Sequence, residues 1–85
     1  MPNYNIEISE TATKQLNKLP HNTYEELIRV IQSLAENPRP YGYKKLKGRK
    51  GYRVRKGNYR IIYDIYDKIL LIDIIAIGHR REIYD

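Results

Sequence analysis

Two alternating segments joined by Gly57-Asn58 leave little freedom in the second half of this chain. Tyr52 to Lys56 alternates, and Tyr59 to Tyr66 follows a dipeptide that favours a two-residue hairpin loop. With Gly57 and Asn58 as that loop, Lys56 faces Tyr59, Arg55 faces Arg60, Val54 faces Ile61 and Arg53 faces Ile62. Side chains alternate across a strand, so Tyr52, Val54, Ile61, Tyr63 and Ile65 share one face. Arg53, Arg55 and Arg60 share the other. A second tight turn at Asp67-Lys68 leads to Ile69–Ile77, a nearly all-apolar run that suits an inner strand. The same register puts Leu70, Ile72, Ile74 and Ala76 on the first face. Ile62, Asp64, Leu71, Asp73, Ile75 and Ile77 fall on the second. Continued past Gly78, the alternation sends His79 to the second face as well.

The first half supplies what covers the apolar face. Tyr4 to Ile8 alternates like a strand. Ser9 is placed to cap a short helix from Glu10 to about Leu19, which Pro20 ends. Asn22 or Thr23 is placed to cap a second helix, with Glu25 as the capping-box carboxylate if Asn22 is the cap. That helix carries Tyr24, Leu27, Ile28, Ile31, Leu34 and Ala35 at i, i+3, i+4 spacing. Asn37-Pro38 stops it. The two helices form a hairpin that needs the sheet to bury its stripe. One α+β domain over residues 1–85 follows, near the lower size that a single core sustains.

Charge is concentrated where the hairpin begins. From Pro38 to Tyr63 there is no acidic residue and there are ten basic ones, in a chain of net charge +6. Five of the nine tyrosines lie in the same window. A strong local positive potential with interleaved rings suits a polyanion with unpaired bases. Lys44, Lys45, Lys47, Arg49, Lys50 and Lys56 are the expected contacts with the backbone of such a polyanion, which carry affinity and salt dependence rather than sequence choice. Arg55 opposite Arg60 is unfavourable by a few tenths to about 1 kcal/mol. An anion held between them offsets that, and the planar guanidinium grips phosphate bidentately.

Other classes are disfavoured. There is no cysteine, hence no disulfide or thiolate site, which fits a reducing cytoplasm. His21 and His79 are far apart, so no metal-ligand spacing appears, and no cofactor is expected. The N-terminus lacks signal-peptide character, and the longest apolar run contains Asp73 and is too short to cross a bilayer. A cytoplasmic protein with no membrane partner is expected. Ile62, Leu71, Ile75 and Ile77 are left as an uncovered apolar patch, the mark of a partner site.

The sequence resembles the RelE/ParE toxin superfamily, and specifically RelE-type mRNA interferases of toxin–antitoxin operons. The matching stretches are Tyr4-Asn-Ile-Glu-Ile, Asn37-Pro-Arg-Pro-Tyr-Gly, Lys45-Leu-Lys-Gly, Tyr52-Arg-Val-Arg-Lys-Gly-Asn-Tyr-Arg-Ile-Ile-Tyr and Ile77-Gly-His-Arg-Arg-Glu-Ile-Tyr. The resemblance implies a β-α-α-β-β-β fold: a twisted antiparallel sheet with a helical hairpin on one face. It implies a toxin that enters the 30S ribosomal A site and cuts the bound mRNA by attack of a ribose 2′-OH on the adjacent phosphodiester. It also implies a small acidic, RelB-like antitoxin that wraps the toxin. The ParE branch, which inhibits DNA gyrase without catalysis, shares much of the hairpin, and a non-catalytic RNA-binding relative is a further alternative. By resemblance the catalytic positions are Arg53, Arg55, Arg60 and Arg80, with Tyr84 stacking on the mRNA base. The best-studied relatives have lysines at the first two. Arginine does not give up its proton, so the base lies elsewhere: His79, Tyr84 or water.

Overall fold

The computed structural model describes residues 3–79. The chain runs β1 (Asn5–Ile8), α1 (Glu10–Asn17), α2 (His21–Glu36), β2 (Lys44–Lys45), β3 (Tyr52–Lys56), β4 (Tyr59–Tyr66) and β5 (Leu71–His79). Both helices pack on one face of a five-stranded sheet ordered β1-β5-β4-β3-β2. The α+β architecture with its helical hairpin is as expected, but the sheet is mixed. β1 pairs parallel to β5, and the two-residue β2 adds an edge beyond β3. No helix among the described residues is long and apolar enough to cross a membrane.

The hairpin has the expected register: Lys56↔Tyr59, Arg55↔Arg60, Val54↔Ile61 and Arg53↔Ile62. Gly57 sits at φ +59°, which an L side chain resists, and Asn58 does not share that sign. One positive φ at the first loop position is the two-residue turn whose twist matches the strands. Ile61, Tyr63, Ile72 and Ile74 meet Leu27, Ile31 and Leu34 of α2 and Ala12 and Leu16 of α1 in one core.

Four expectations need correction. First, α2 begins at His21, directly after Pro20, and no side chain caps it. Pro20 already holds the extended geometry of a cap residue (φ −55°, ψ 149°), so neither Asn22 nor Thr23 is needed there. Glu25 instead approaches the His21 ring at 3.2 Å. Second, the turn before β5 is longer than Asp67-Lys68. A 3-10 turn over Asp67–Ile69 and a left-handed Leu70 (φ 52°) close it, leaving Ile69 64% exposed and outside the strand.

Third, the β4–β5 register shifts at Ile62/Tyr63: Tyr63 pairs Ile74 but Ile62 pairs Ala76. Ile75 is the extra residue of a β-bulge. Beyond it the facing inverts, so Ile77 enters the helix-side core and Ala76 turns away. Ser9 holds this place. Its hydroxyl donates to the Ile75 carbonyl at 2.8 Å and accepts from Ala12 N–H at 3.0 Å, capping α1. Past the end of β1, the Gln15 side-chain oxygen accepts from Ile77 N–H at 2.6 Å, so α1 takes over the β5 edge.

Fourth, the second face is not uniformly open. Ile62 is 1% exposed, and Leu46 is buried too. The 46–51 loop folds onto this face: Leu46 N–H donates to Gly51 O at 3.0 Å, and the Leu46 and Ile75 side chains converge on Gly51. A Cβ at Gly51 would lie 3.2 Å from the Tyr63 carbonyl, at a φ of +117°, so the close approach requires glycine.

Candidate nucleic-acid interface

The hairpin register builds the cationic row. Arg55 and Arg60 stand directly opposite one another, Arg53 lies two residues before Arg55 on β3 and diagonal to Arg60, and β2 brings Lys44 opposite Arg53. All four lie on the face away from the helices. Arg55 is exposed, whereas Arg53 is 3% and Arg60 9% exposed. Two of the three arginines are therefore sunk into the sheet face, their aliphatic stems covering strand surface. Burial removes screening and strengthens the pull on any phosphate that reaches the guanidinium groups.

Tyrosines hold the basic loop. Lys45 Nζ lies 5.3 Å from the Tyr52 ring centre, and Tyr52 stands between Tyr43 (5.8 Å) and Tyr63 (6.0 Å). The Tyr63 hydroxyl donates to the Pro38 carbonyl at 2.7 Å, and burial raises its phenol pKa above the ordinary value. Lys50 Nζ lies 4.8 Å over the Tyr66 ring, 3.3 Å from its hydroxyl and 3.4 Å from Asp64 Oδ2. These cation–π and ionic contacts fix two of the loop cations before any partner arrives. Lys44, Lys47 and Arg49 are exposed.

Other basic groups are placed differently. Lys56 lies on the helix side, 3.9 Å from Glu26. Arg39 grips Asp67 through two bonds of 2.8 and 3.3 Å, and the Tyr4 hydroxyl donates to the same carboxylate at 2.6 Å. That cluster ties the 38–40 segment to the β4–β5 turn and to the start of β1. The Arg39 guanidinium, then the Tyr4 hydroxyl, hold the Asp67 carboxyl below its usual range.

His79 does not join the arginines. The bulge puts it opposite Tyr59 on the helix side, with the rings edge to face at 5.4 Å. It borders a cleft of about 310 Å3 lined also by Gln15, Lys18 and Leu19. Arg80 and Tyr84 lie outside the described residues. Of the candidate catalytic set, the structure thus brings together Arg53, Arg55 and Arg60 and separates His79 from them. Sequence reasoning missed Lys44 as a member of the row; its only signal was a two-residue strand. Among the described residues no three His, Asp or Glu side chains gather to hold a metal. The row can bind an anion and stabilise developing negative charge; its guanidinium groups cannot serve as a base.

Comparison with known proteins agrees with this architecture. Residues 6–84 match the family model described as ParE toxin of type II toxin-antitoxin system, parDE. The RelE1 protein of Methanocaldococcus jannaschii is 35% identical over 93% of this chain and 91% of its own. The mRNA interferase toxin RelE of Escherichia coli is 28% identical over 95% of this chain and 90% of its own. The archaeal RelE–RelB complex from Pyrococcus horikoshii superposes with a TM-score of 0.82 at 30% identity, covering 92% of this chain and 96% of that one. With the sheet, the helical hairpin and the matched residues in agreement, the chain belongs to the RelE/ParE toxins of type II toxin–antitoxin systems.

Proposed function

We propose that this toxin is a ribosome-dependent mRNA interferase acting in the 30S A site. The observation that carries the reading is the Arg53–Arg55–Arg60 row, partly buried and fixed by a two-residue hairpin loop. Attack of a ribose 2′-OH on the neighbouring phosphorus gathers negative charge on the phosphoryl oxygens, then on the departing 5′-oxygen. Cations already in place stabilise that charge without reorganisation. The products are a 2′,3′-cyclic phosphate and a 5′-OH. Lys44, Lys47 and Arg49 contact ribosomal RNA backbone, joined by Lys45 and Lys50 from their tyrosine seats. Arg80 assists the row and Tyr84 stacks on the base. With His79 on the far face, the proton of the 2′-OH passes to Tyr84 as phenolate or to water, and the departing 5′-oxygen takes a proton from solvent to become the 5′-OH. An acidic, RelB-like antitoxin neutralises the row, in keeping with the RelE–RelB complexes among the structural relatives.

Primer extension on a defined mRNA in reconstituted translation tests this. New 5′ ends inside codons, present only with ribosomes, are expected. Arg60→Ala should reduce them by about 10²–10³-fold, the scale for removing one preorganised charge-stabilising group. The family model's ParE description favours one second reading, inhibition of DNA gyrase. Intact mRNA together with blocked supercoiling would establish it and overturn the nuclease.

A further inference from the structure

The face that carries the arginines is charged oppositely at its two ends. Pairing aligns Glu7 of β1 with Asp73 of β5, and Asp73 with Asp64 of β4, in one row across the sheet. All three lie on the side away from the helices. Lys50 reaches Asp64. Among the described residues Glu7 and Asp73 meet no lysine or arginine, whereas Glu10, Glu26 and Asp67 each do. Beside them Leu71, Ile75 and Ala76 remain half-exposed, although the 46–51 loop reaches the Ile75 side chain at Gly51.

Like charges directly opposed on a sheet are unfavourable. Nucleic acid cannot relieve this row, since its phosphates are repelled within a Debye length of about 8–10 Å. A protein segment with a lysine or arginine and aliphatic neighbours can. We infer that the Glu7–Asp73 end of the sheet docks a cationic, aliphatic stretch of the antitoxin, on ground that RNA does not share. This rests on the toxin reading and adds to it: the antitoxin is charge-patterned, not uniformly acidic. Arg60 and Asp64 are four residues apart on β4, roughly 13 Å at strand rise. Asp73 and Glu7 lie one and two strands further across, so a segment crossing both ends presents a cation and a carboxylate at least about that far apart.

The test uses Glu7→Lys and Asp73→Lys in the full chain, titrated calorimetrically with the purified antitoxin from the same operon. Each should bind at least about tenfold more weakly, the effect of turning a rim attraction into a repulsion. Glu7→Gln should lie between wild type and Glu7→Lys. Glu7 is exposed on an edge strand, so its variants report docking even if Asp73→Lys unfolds. Codon cleavage without antitoxin should stay at the wild-type level. Antitoxin affinity within twofold of wild type for both Glu7 variants would overturn the inference. A gain in ribosome affinity with unchanged antitoxin binding would also overturn it, showing that the row only repels RNA. Loss of the nuclease reading would appear separately, as wild-type protein that binds antitoxin but cuts nothing.

Discussion

The two faces of one sheet are built from the same strands and do opposite things. Toward the helices, Leu27, Ile31, Leu34, Ile61, Tyr63, Ile72, Ile74 and Ile77 are each no more than 1% exposed, and no formal charge enters that core. On the other face, Ile62 and Leu46 are buried among Arg53, Arg60 and Asp64. One face gains by excluding water from carbon. The other holds ionic groups at positions where a strand can fix them but where solvent no longer screens them well. Rigidity comes from the first, and the chemistry on the second depends on it. The same pleat that sends Ile61 into the core sends Arg60 outward.

The sharpest way to break the contrast is a pair of substitutions. Leu27→Ala, at the centre of the helix stripe, should cost about 2–5 kcal/mol, a large share of a small domain's stability. Urea unfolding should show it as a lower midpoint, with toxicity lost in proportion to the unfolded fraction. Arg55→Ala, exposed on the opposite face, should leave the unfolding free energy within about 0.5 kcal/mol of wild type while codon cleavage falls. If Arg55→Ala unfolds the protein, the faces are not separable as argued. Tyr63→Phe is smaller. It removes a hydroxyl that satisfies the Pro38 carbonyl and should cost about 1–2 kcal/mol in the same unfolding measurement.

The smallest effect concerns Asp67, whose carboxyl is held below its ordinary value by Arg39 and Tyr4. A depressed carboxyl contributes stability above its unfolded pKa, about 4, and that contribution fades as pH falls through the lower folded value. Asp67→Asn should therefore lower Tm slightly near pH 7. The difference from wild type should shrink as pH falls below the unfolded value. A gap that persists at acid pH would show that geometry, not charge, makes the contact.

The hairpin was legible because its loop has two residues. That number alone fixes which side chains face, and Arg55 opposite Arg60 followed from it. The helix stripe was legible because 3.6-residue spacing leaves only one face to bury. The bulge was not. Ile74-Ile75-Ala76-Ile77 offers side chains that suit either face, so nothing in the pattern marks Ile75 as the extra residue. His79 inherited the error and was placed with the arginines. Coverage of the second face was also illegible, because it depends on Leu46 folding back over Gly51 in a segment whose charge suggests solvent. The uncapped start of α2 escaped because Pro20 can either end a helix or precede one.

The bulge at Ile75 also separates two histories within one strand. Residues before it are committed to β1 and the helices; residues after it are aimed by where the phase change falls, not by the turn at Leu70. A single insertion or deletion at that point can rotate what the His79 end of β5 presents while Ile72 and Ile74 stay seated. The strand is thus a hinge for divergence, able to offer a different surface at one end without renegotiating the fold at the other.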